Sequence, residues 1–398
     1  MPVAPFNSAP PRPGSQSALR AQNQQRLLEA LTRNGALTQA ELSRLTGLST
    51  ATVSNIIKRM STSGLIRLTP ITSSGRRAFA VHLVDTGEAA VGIDFGRRHL
   101  RVVVANLSYE VLAESTAPPA EAYSAETGMT AAYSMVRDLL EQAGRTLDDL
   151  TGVGVGIPGP LDSRTGRAVG GTIHPEWVGV AVREDMEALF GVPVYVDNDC
   201  NLGALAEVTW GDYRTTENLA FVKIGTGIGS GLVINGQPFR GKIGVTGEIG
   251  HTTLDDQGSV CRCGNRGCLE TVASTKIMLD LLRGHSPAVL TTQDIVRLAL
   301  KGDAATLRVI DDTGQAVGRA LGTLANLINP EVIVVGGPLS ALGEVLVAPV
   351  RRGLIRYAIP VVGESTTVAP TSLGDRAEAL GAATLVIQSA GQRRKVTT

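Results

Sequence analysis

The sequence contains no uninterrupted apolar run of the roughly 18 residues that a membrane-spanning helix needs. Its first residues, MPVAPFNSAPPRPGSQS, also lack the apolar core of a secretory signal peptide. Cysteine is scarce, with four in 398 residues, and three of them are clustered at 261–268. These absences favour a cytoplasmic protein with no membrane partner. Since thiols stay reduced there, the clustered cysteines are expected to be metal ligands rather than disulfides.

Net charge is also absent, because 37 Lys and Arg balance 37 Asp and Glu. The balance conceals an asymmetry: up to residue 85 there are ten basic residues and only three acidic ones. The remainder of the chain is therefore acidic. A basic segment over 1–85, called the head below, followed by an acidic remainder, the body, suggests that only the head binds a polyanion such as DNA.

The basic head divides into a tail and a small domain. Five prolines in the first seventeen residues predict a flexible tail over 1–17, followed by a domain over 18–85. Thr38 with Glu41 three residues later forms a capping box for a helix over 39–46. A turn at Gly47 and a cap at Ser49 introduce a second helix, and its apolar stripe faces a core. That stripe consists of Val53, Ile56, Ile57 and Met60.

Two short helices joined by a glycine turn are typical of a helix-turn-helix, whose second helix enters the major groove of DNA. The following residues alternate like a β-hairpin with SSGRR at its tip, which predicts a basic wing. The segment resembles the winged-helix domains of bacterial transcription regulators, and operator DNA is the expected partner. The alternative is a three-helix protein-interaction module with a solvated basic hairpin. The predicted DNA-contacting residues are Thr50, Ala51, Thr52, Asn55, Lys58, Arg76 and Arg77.

From residue 90 onward, glycine-punctuated β-branched runs alternate with helical stretches, which predicts an α/β architecture with buried sheets. Two of the runs, at 93–96 and 222–225, each lead through a turn into another apolar strand. Their similarity suggests an internal duplication with two similar lobes. The predicted helices are 128–145, 181–190, 291–301 and 306–328.

The cysteine cluster has the spacing H-x9-C-x-C-x4-C, formed by His251, Cys261, Cys263 and Cys268. Three thiolates and one imidazole complete a tetrahedral zinc site with no open position, as a structural zinc requires. A DNA-reading zinc finger would need a second histidine and a longer helix. The remaining alternative is three buried thiols around a turn.

Two further motifs have both a binding and a structural interpretation. The glycine-rich run at 225–231 either brings backbone N–H groups close to an anion or only makes a tight turn. Asn198 and Asp199 follow an apolar strand, where α/β proteins place ligand contacts, although a plain turn also fits.

The order of motifs in the body is distinctive. GIDFG, GVGIPGP, VDNDCN, IGTGIGSG, GEIGH, CRCGNRGCLE and NPEVIVVGG follow the basic head. Over about 20–390 this order resembles the ROK family of bacterial sugar-responsive repressors and sugar kinases. The resemblance implies an actin/hexokinase-like fold: two α/β lobes around a cleft, with sugar at the bottom and any nucleotide at the mouth. It implies a small lobe of 88–200 plus 376–390, and a large lobe of 201–375 that carries the zinc site.

The resemblance also implies the sugar ligands. Glu248 and Glu270 would face sugar hydroxyls, and His251 would use one ring nitrogen for zinc and the other for the sugar. Asn198 and Asp199 would contact the sugar as well; in the kinases of the family the matching Asp is the general base. His174, in the loop 168–178, either reaches the ligand or merely flanks it.

One departure from the family bears on catalysis. Gly96-Arg97-Arg98 stands where ROK kinases carry Gly-Gly-Thr, so two guanidinium groups fill space that ATP needs. The run Gly336-Gly337-Pro338 likewise ends in proline instead of a third glycine. These changes predict no ATP binding and no kinase activity. The expected protein is a repressor of carbohydrate uptake or catabolism genes that responds to a sugar or sugar phosphate.

The repressor is expected to act as an oligomer, and two other functions remain as alternatives. A homodimer or dimer of dimers would present paired recognition helices to a palindromic operator. The alternative function is an ATP-dependent sugar kinase with Asp199 as base. A third alternative is control by docking of a phosphotransferase-system protein.

Overall fold

The computed structural model describes residues 23–24, 26–28, 30–31, 34–73, 76–118, 124–162, 165–169, 175–285, 289 and 291–396. The predicted tail over 1–17 and His174 lie outside these residues. The chain forms two compact units, Met1–Asp85 and Thr86–Thr398. No helix in the described part of the chain is long and apolar enough to cross a membrane.

The first unit combines three helices with a small antiparallel sheet. Every described position between 23 and 34 is helical, and these positions form α1. The sheet has the strand order β1-β3-β2, so a two-residue strand adds to the predicted hairpin. The remaining elements are β1 (Leu37–Thr38), α2 (Gln39–Thr46), α3 (Thr50–Thr62), β2 (Ile66–Ser73) and β3 (Arg76–Leu83).

The helix ends in this unit confirm the sequence predictions. Thr38 and Glu41 form the capping box of α2, and Ser49 caps α3 by accepting a hydrogen bond from the Thr52 N–H. Gly47 ends α2 with φ +67°, a conformation that favours glycine. The predicted apolar stripe of α3 is buried in the core of the unit, together with Leu27 of α1. The helix-turn-helix with a hairpin wing is therefore present.

The second unit is built on two five-stranded sheets within its described residues. The first sheet contains β4 (Ala89–Phe95), β5 (Leu100–Asn106), β6 (Val111–Ala117), β7 (Leu150–Ile157) and β10 (Val194–Asn198). The second contains β11 (Leu219–Ile224), β12 (Ile228–Ile234), β13 (Gln237–Pro238), β14 (Val332–Gly336) and β15 (Thr367–Pro370). A separate hairpin pairs β8 (Leu161–Asp162) with β9 (Arg167–Ala168).

The two sheets have the same topology. In each sheet the first strand pairs antiparallel with the second, and the second pairs antiparallel with the third. The fourth strand pairs in parallel with the other side of the first, and the fifth pairs in parallel with the fourth. The strand order is β6-β5-β4-β7-β10 in one sheet and β13-β12-β11-β14-β15 in the other. The duplication expected from the similar runs at 93–96 and 222–225 is confirmed. The first strand of each sheet ends at one of those runs.

Two helices pack against each other and against the sheets: α6 (Asp199–Glu207) and α13 (Ala377–Val396). Glycines make the packing close. A Cβ on Gly92 of β4 would overlap the carbonyl oxygen of Ala379, and one on Gly231 of β12 would overlap that of Cys200. Both helices therefore lie in direct contact with strands of the sheets.

Other helices form hydrophobic cores with the two sheets. The predicted helices are present with shifts of a few residues. Beside the first sheet lie α4 (Ala125–Gln142) and α5 (Val182–Phe190). With the second sheet are α7 (Glu270–Ala273), α8 (Thr275–His285), α9 (Thr292–Leu300), α10 (Ala304–Ile328), α11 (Glu344–Tyr357) and α12 (Pro360–Ser365). Short 3-10 helices are Leu147–Asp149, Pro175–Trp177, Ile249–His251, Ser340–Leu342 and Gly374–Arg376.

Candidate functional site

A cleft of ≈ 510 Å³ opens at the ends of the two sheets in the second unit. The turn between β4 and β5, the glycine turn between β11 and β12, and the start of α6 all contribute to its wall. The size is ordinary for a small-molecule site. Polar and charged side chains of both sheets therefore converge on one cavity.

Lys223 lies at the centre of the charges in this cleft. Its Nζ is 2.9 Å from Asp199 Oδ2 and 2.9 Å from Glu378 Oε1, and all three side chains are nearly buried. Burial alone would lower the pKa of Lys223, but these carboxylates and Asp94 raise it well above its ordinary value. Lys223 therefore stays protonated and neutralises part of a buried acidic cluster.

Sequence reasoning missed Lys223 and Glu378. The available signal for Lys223 was a single charged residue inside the otherwise apolar strand FVKIG. The sequence around Glu378 contains no such signal, because its contact with Lys223 depends on where α13 packs.

The turn between β4 and β5, which contains Gly96-Arg97-Arg98, carries an unexpected contact. His99 Nε2 lies 2.5 Å from Asp94 Oδ2, and the His99 ring covers Gly96 so closely that a Cβ there would overlap it. Burial favours the neutral acid, but Lys223 and His99 outweigh it and hold the pKa of Asp94 at about 2. The same carboxylate raises the pKa of His99 against the opposing effect of burial. The imidazole thus occupies the surface of the turn.

Asn198 and Asp199 both line the cleft, as part of the loop that starts α6. Asn198 Oδ1 caps the helix by accepting from the Cys200 N–H at 2.8 Å, and its Nδ2 donates to Gly159 O at 2.8 Å. Asp199 Oδ1 accepts from the same Cys200 N–H at 2.9 Å. The Asn198 side chain thus fixes the position of the neighbouring Pro-Gly-Pro loop.

Of the two predicted glutamates, Glu248 lines the cleft and Glu270 does not. Arg262, which lies between two of the cysteines, forms a two-pronged pair with Glu270, with Nε–Oε1 at 2.5 Å and Nη2–Oε2 at 2.7 Å. Arg262 itself contributes to the wall of the cleft. Burial, followed by the charge of Asp199, raises the pKa of Glu248 to about 7. Sequence reasoning missed Arg262.

His251, Cys261, Cys263 and Cys268 come together as a metal-binding group, with all four ligand atoms within 4.8 Å of one another. Cys263 Sγ is 3.7 Å from Cys268 Sγ, and His251 Nδ1 is 3.5 Å from Cys261 Sγ. Tetrahedral zinc bonds require about 3.8 Å between two sulfurs and about 3.6 Å between sulfur and nitrogen. The distances therefore fit a structural zinc. The other ring nitrogen, His251 Nε2, lies 3.8 Å from Glu248 Oε2.

Gly267 shows why this loop needs glycine. Its φ is +58°, and a Cβ would overlap the carbonyl oxygen of Asp255. The loop between the cysteines can close around a metal ion only with a residue that lacks a side chain here.

In the first unit, most of the predicted DNA-contacting residues are exposed. They lie on α3 opposite the buried stripe, except that Thr52 is half-buried with its hydroxyl 2.9 Å from that of Ser49. Arg77 is exposed on β3, and the backbone of Arg76 pairs with Ser73. The exposed residues of α3 are Thr50, Ala51, Asn55 and Lys58.

Comparisons with known proteins agree with both units. The model of the ROK family matches residues 90–389, and a MarR family model matches residues 21–77. The xylose repressor of Bacillus subtilis (strain 168) is 30% identical, with coverage of 94% of this chain and 96% of the repressor. The glucokinase of Halalkalibacterium halodurans is 31% identical, with coverage of 77% of this chain and 97% of the kinase.

The structural comparison gives the same architecture. A crystal structure described as a ROK family transcriptional regulator, homologue of the E. coli MLC protein, matches with a TM-score of 0.72 at 25% identity. The match covers 95% of this chain and 98% of that one. The repressor and the regulator thus match nearly the whole chain, including the first unit, whereas the kinase leaves about a quarter of it unmatched.

Proposed function

Because this chain belongs to the ROK family, with an actin/hexokinase-like body and a winged helix, we propose that it is a sugar-responsive repressor of carbohydrate uptake or catabolism genes. The observation that carries the proposal is the combination of the two units in one chain that aligns along its length with a xylose repressor. A winged helix supplies operator affinity, and the cleft supplies a place for the effector.

The floor of the cleft is suited to a sugar. Glu248 offers carboxylate oxygens to hydroxyl groups, and Asp199 can do so where a hydroxyl replaces one of its present partners. Asn198 positions the loop beside them. Glu270 can join them only if Arg262 moves, because both of its oxygens are paired with that guanidinium. We therefore expect Arg262 to shift when sugar binds.

A zinc ion held by His251 and the three cysteines would stabilise the loop that carries Arg262. Zinc in a closed site supplies structure rather than chemistry. With Nδ1 on the metal, His251 would keep Nε2 directed to the Glu248 side of the cleft, ready to donate to a sugar oxygen.

One pair of substitutions and two contacts argue against phosphoryl transfer. Arg97 and Arg98 replace a glycine and a threonine of the kinase motif, and His99 covers Gly96 where phosphate would approach. Both oxygens of Asp199 already accept a hydrogen bond, Oδ1 from the Cys200 N–H and Oδ2 from the Lys223 ammonium. A general base needs a free oxygen within hydrogen-bond reach of the reacting hydroxyl.

Sugar binding would regulate DNA binding by linkage. A homodimer would place two recognition helices on half-sites of a palindrome. A sugar that favours one closure of the two sheets by a few kcal/mol shifts the population of that state and therefore the operator affinity.

The test begins with the DNA. The full chain is used to select binding sites from a randomised DNA library, and we expect an imperfect palindrome. Asn55→Ala should relax base preference at one position by about 1–3 kcal/mol, and Lys58→Ala should weaken binding to all sequences and lower the salt slope by about one. Arg137→Ala, an exposed change on α4 of the second unit, is the matched control.

The second part of the test adds sugars. A thermal-shift panel identifies sugars that bind, since a ligand of the folded state raises its melting temperature. Those sugars should change operator retardation in a gel shift. Failure to select any DNA would refute the repressor, and ATP-dependent phosphorylation of a sugar in a coupled assay would show a kinase instead.

A further inference from the structure

An ion pair near the cleft joins the two sheets of the second unit. Arg240 Nε donates to Asp197 Oδ2 at 2.7 Å, across 43 positions of sequence. Asp197 belongs to β10 of the first sheet, where it pairs with Gly156 of β7, whereas Arg240 follows β13 of the second sheet. The contact therefore connects a strand of one sheet to a loop of the other.

The Asp197 carboxylate is also held in place from its own side. Its side chain is only 9% exposed, and Oδ1 accepts from the Asn198 N–H at 2.8 Å and from Asn201 Nδ2 at 2.9 Å. Asn198 and Asp199 come directly after it in sequence, and both line the cleft. A shift of Asp197 would therefore move the part of the cleft wall at the end of β10.

The loop over 239–247 carries the other partner of the pair, and its far end is fixed to β12. Gly247 O accepts from the Ser230 N–H at 2.7 Å and from the Ser230 hydroxyl at 3.0 Å. A Cβ on Gly247, where φ is +77°, would overlap the carbonyl oxygen of Ser230. Glu248 follows directly and lines the cleft. The loop thus links Arg240 to a carboxylate of the cleft.

The pair can affect a ligand only indirectly, because neither Asp197 nor Arg240 lines the cleft. The Arg240 side chain is 33% exposed and that of Asp197 9%, so water and salt screen the pair less than they screen an ion pair on the open surface. The pair instead constrains the position of Glu248 relative to Asn198, two cleft residues that follow strands of different sheets.

We infer that Arg240 is a positioning residue: its ion pair with Asp197 holds the two sheets in the arrangement in which Glu248 and Asn198 form one ligand site. When binding needs one arrangement, the apparent affinity is proportional to the fraction of molecules that adopt it. Loss of the pair would lower that fraction and leave the contacts of the bound state unchanged. The inference rests on the proposed function, since it concerns the regulation of the same cleft.

The experiment measures sugar affinity by calorimetry on the full chain, with D-xylose, D-glucose and N-acetylglucosamine as probes. Arg240→Ala should weaken every sugar that binds by about tenfold or more, the equivalent of one charge-assisted hydrogen bond. The factor should be the same for all of them, because a change in the competent fraction does not distinguish between ligands. The sugar concentration that gives half of the response in an operator gel shift should rise by the same factor.

Three further variants test the pair itself. Asp197→Asn removes the charge and keeps an oxygen for the Asn198 N–H, and it should weaken binding as Arg240→Ala does. The double variant should bind no more weakly than either single one, since both changes remove the same interaction. Arg240→Lys should recover most of the affinity, because an ammonium can form a single ion pair with Oδ2. Arg308→Ala is the control, because it removes an ion pair of 3.2 Å within α10, and it should leave sugar affinity unchanged.

Three results would overturn the inference, and a fourth would contradict the proposed function. Unchanged sugar affinity in Arg240→Ala, or additive losses in the double variant, overturns the inference and leaves the sugar-responsive repressor intact. A loss that differs from sugar to sugar also overturns it, because Arg240 would then contact the ligand. The melting temperature without ligand should fall by no more than a few degrees, and a larger decrease would show a general structural role instead. Binding of none of the sugars by the unaltered chain contradicts the proposed function, and the inference falls with it.

Discussion

Glu207 should make the stability of the second unit depend on pH. It lies at the end of α6, is fully buried, and accepts a hydrogen bond from the Thr371 hydroxyl through Oε1. Its Oε2 has no hydrogen-bond partner among the described residues. Burial, with smaller contributions from Asp212 and Glu378, raises the pKa of Glu207 to about 7 in spite of the bond from Thr371.

The linkage between proton binding and folding gives the sign and the size of the effect of Glu207 on stability. Because the pKa is raised above its ordinary 4.5, the folded state binds more protons than the unfolded state between pH 4.5 and about 7. The stabilisation is complete below pH 4.5 and is lost as pH rises through 7. At about 1.4 kcal/mol for each pH unit, the loss amounts to about 3 kcal/mol by pH 8.

Glu207→Gln tests this because glutamine resembles the protonated acid. At pH 8 the variant should be more stable by up to about 3 kcal/mol, which raises the melting temperature by several degrees in a unit of this size. At pH 5 the two proteins should melt together within about a degree, apart from any cost of the new amide N–H. Calorimetry at both pH values provides the measurement.

The control for this prediction is Glu364→Gln, an exposed glutamate on α12 whose replacement should have no effect at either pH. If Glu207→Gln changes stability equally at pH 5 and pH 8, the buried carboxyl titrates normally and the reasoning is wrong.

Three further predictions concern single groups. Lys223→Met should lower unfolding free energy by about 3–5 kcal/mol in urea titrations, because it leaves two buried carboxylates without their cation; unchanged stability would contradict the assigned pairs. Cys263→Ser should abolish the one zinc per chain that metal analysis is expected to find, whereas Cys200→Ala, outside the cluster, should retain it; equal zinc in both would exclude the site. Ser49→Ala should destabilise the first unit by about 1 kcal/mol through loss of the α3 cap, and Ser54→Ala on the exposed face should not.

Local signals explain which parts of the fold could be predicted. The capping box at Thr38 and the cap at Ser49 involve neighbours three residues apart, so their spacing is visible in the sequence. The stripe of α3 repeats with the helix period, and long buried strands are rich in β-branched residues. By contrast, β1 has only two residues, too few for any periodic pattern.

The charge pairs in the cleft could not be predicted for a different reason. Lys223 and Glu378 are separated by 155 positions, and their contact depends on the close packing of α13 on glycines of the first sheet. Arg262 and Glu270 are near in sequence, but their two hydrogen bonds depend on the path of the loop between the cysteines. Spacing indicates which residues are present in a site and leaves their pairing undetermined.

The packing of α6 and α13 explains how a small ligand could change a distant equilibrium. Each helix contributes one partner of Lys223, Asp199 from α6 and Glu378 from α13, while Lys223 itself belongs to the second sheet. A ligand that forms a hydrogen bond with one oxygen of Asp199 must weaken an existing bond of that carboxylate. Such a change alters the ion pairs that Lys223 forms with Asp199 and Glu378. A hundredfold change in operator affinity needs about 2.7 kcal/mol, which is the size of one or two charged hydrogen bonds. If sugar and operator binding are coupled as proposed, a rearrangement of these ion pairs has the free energy that the coupling needs. We predict that Lys223→Met makes operator retardation in a gel shift independent of added sugar, even where the variant still binds both.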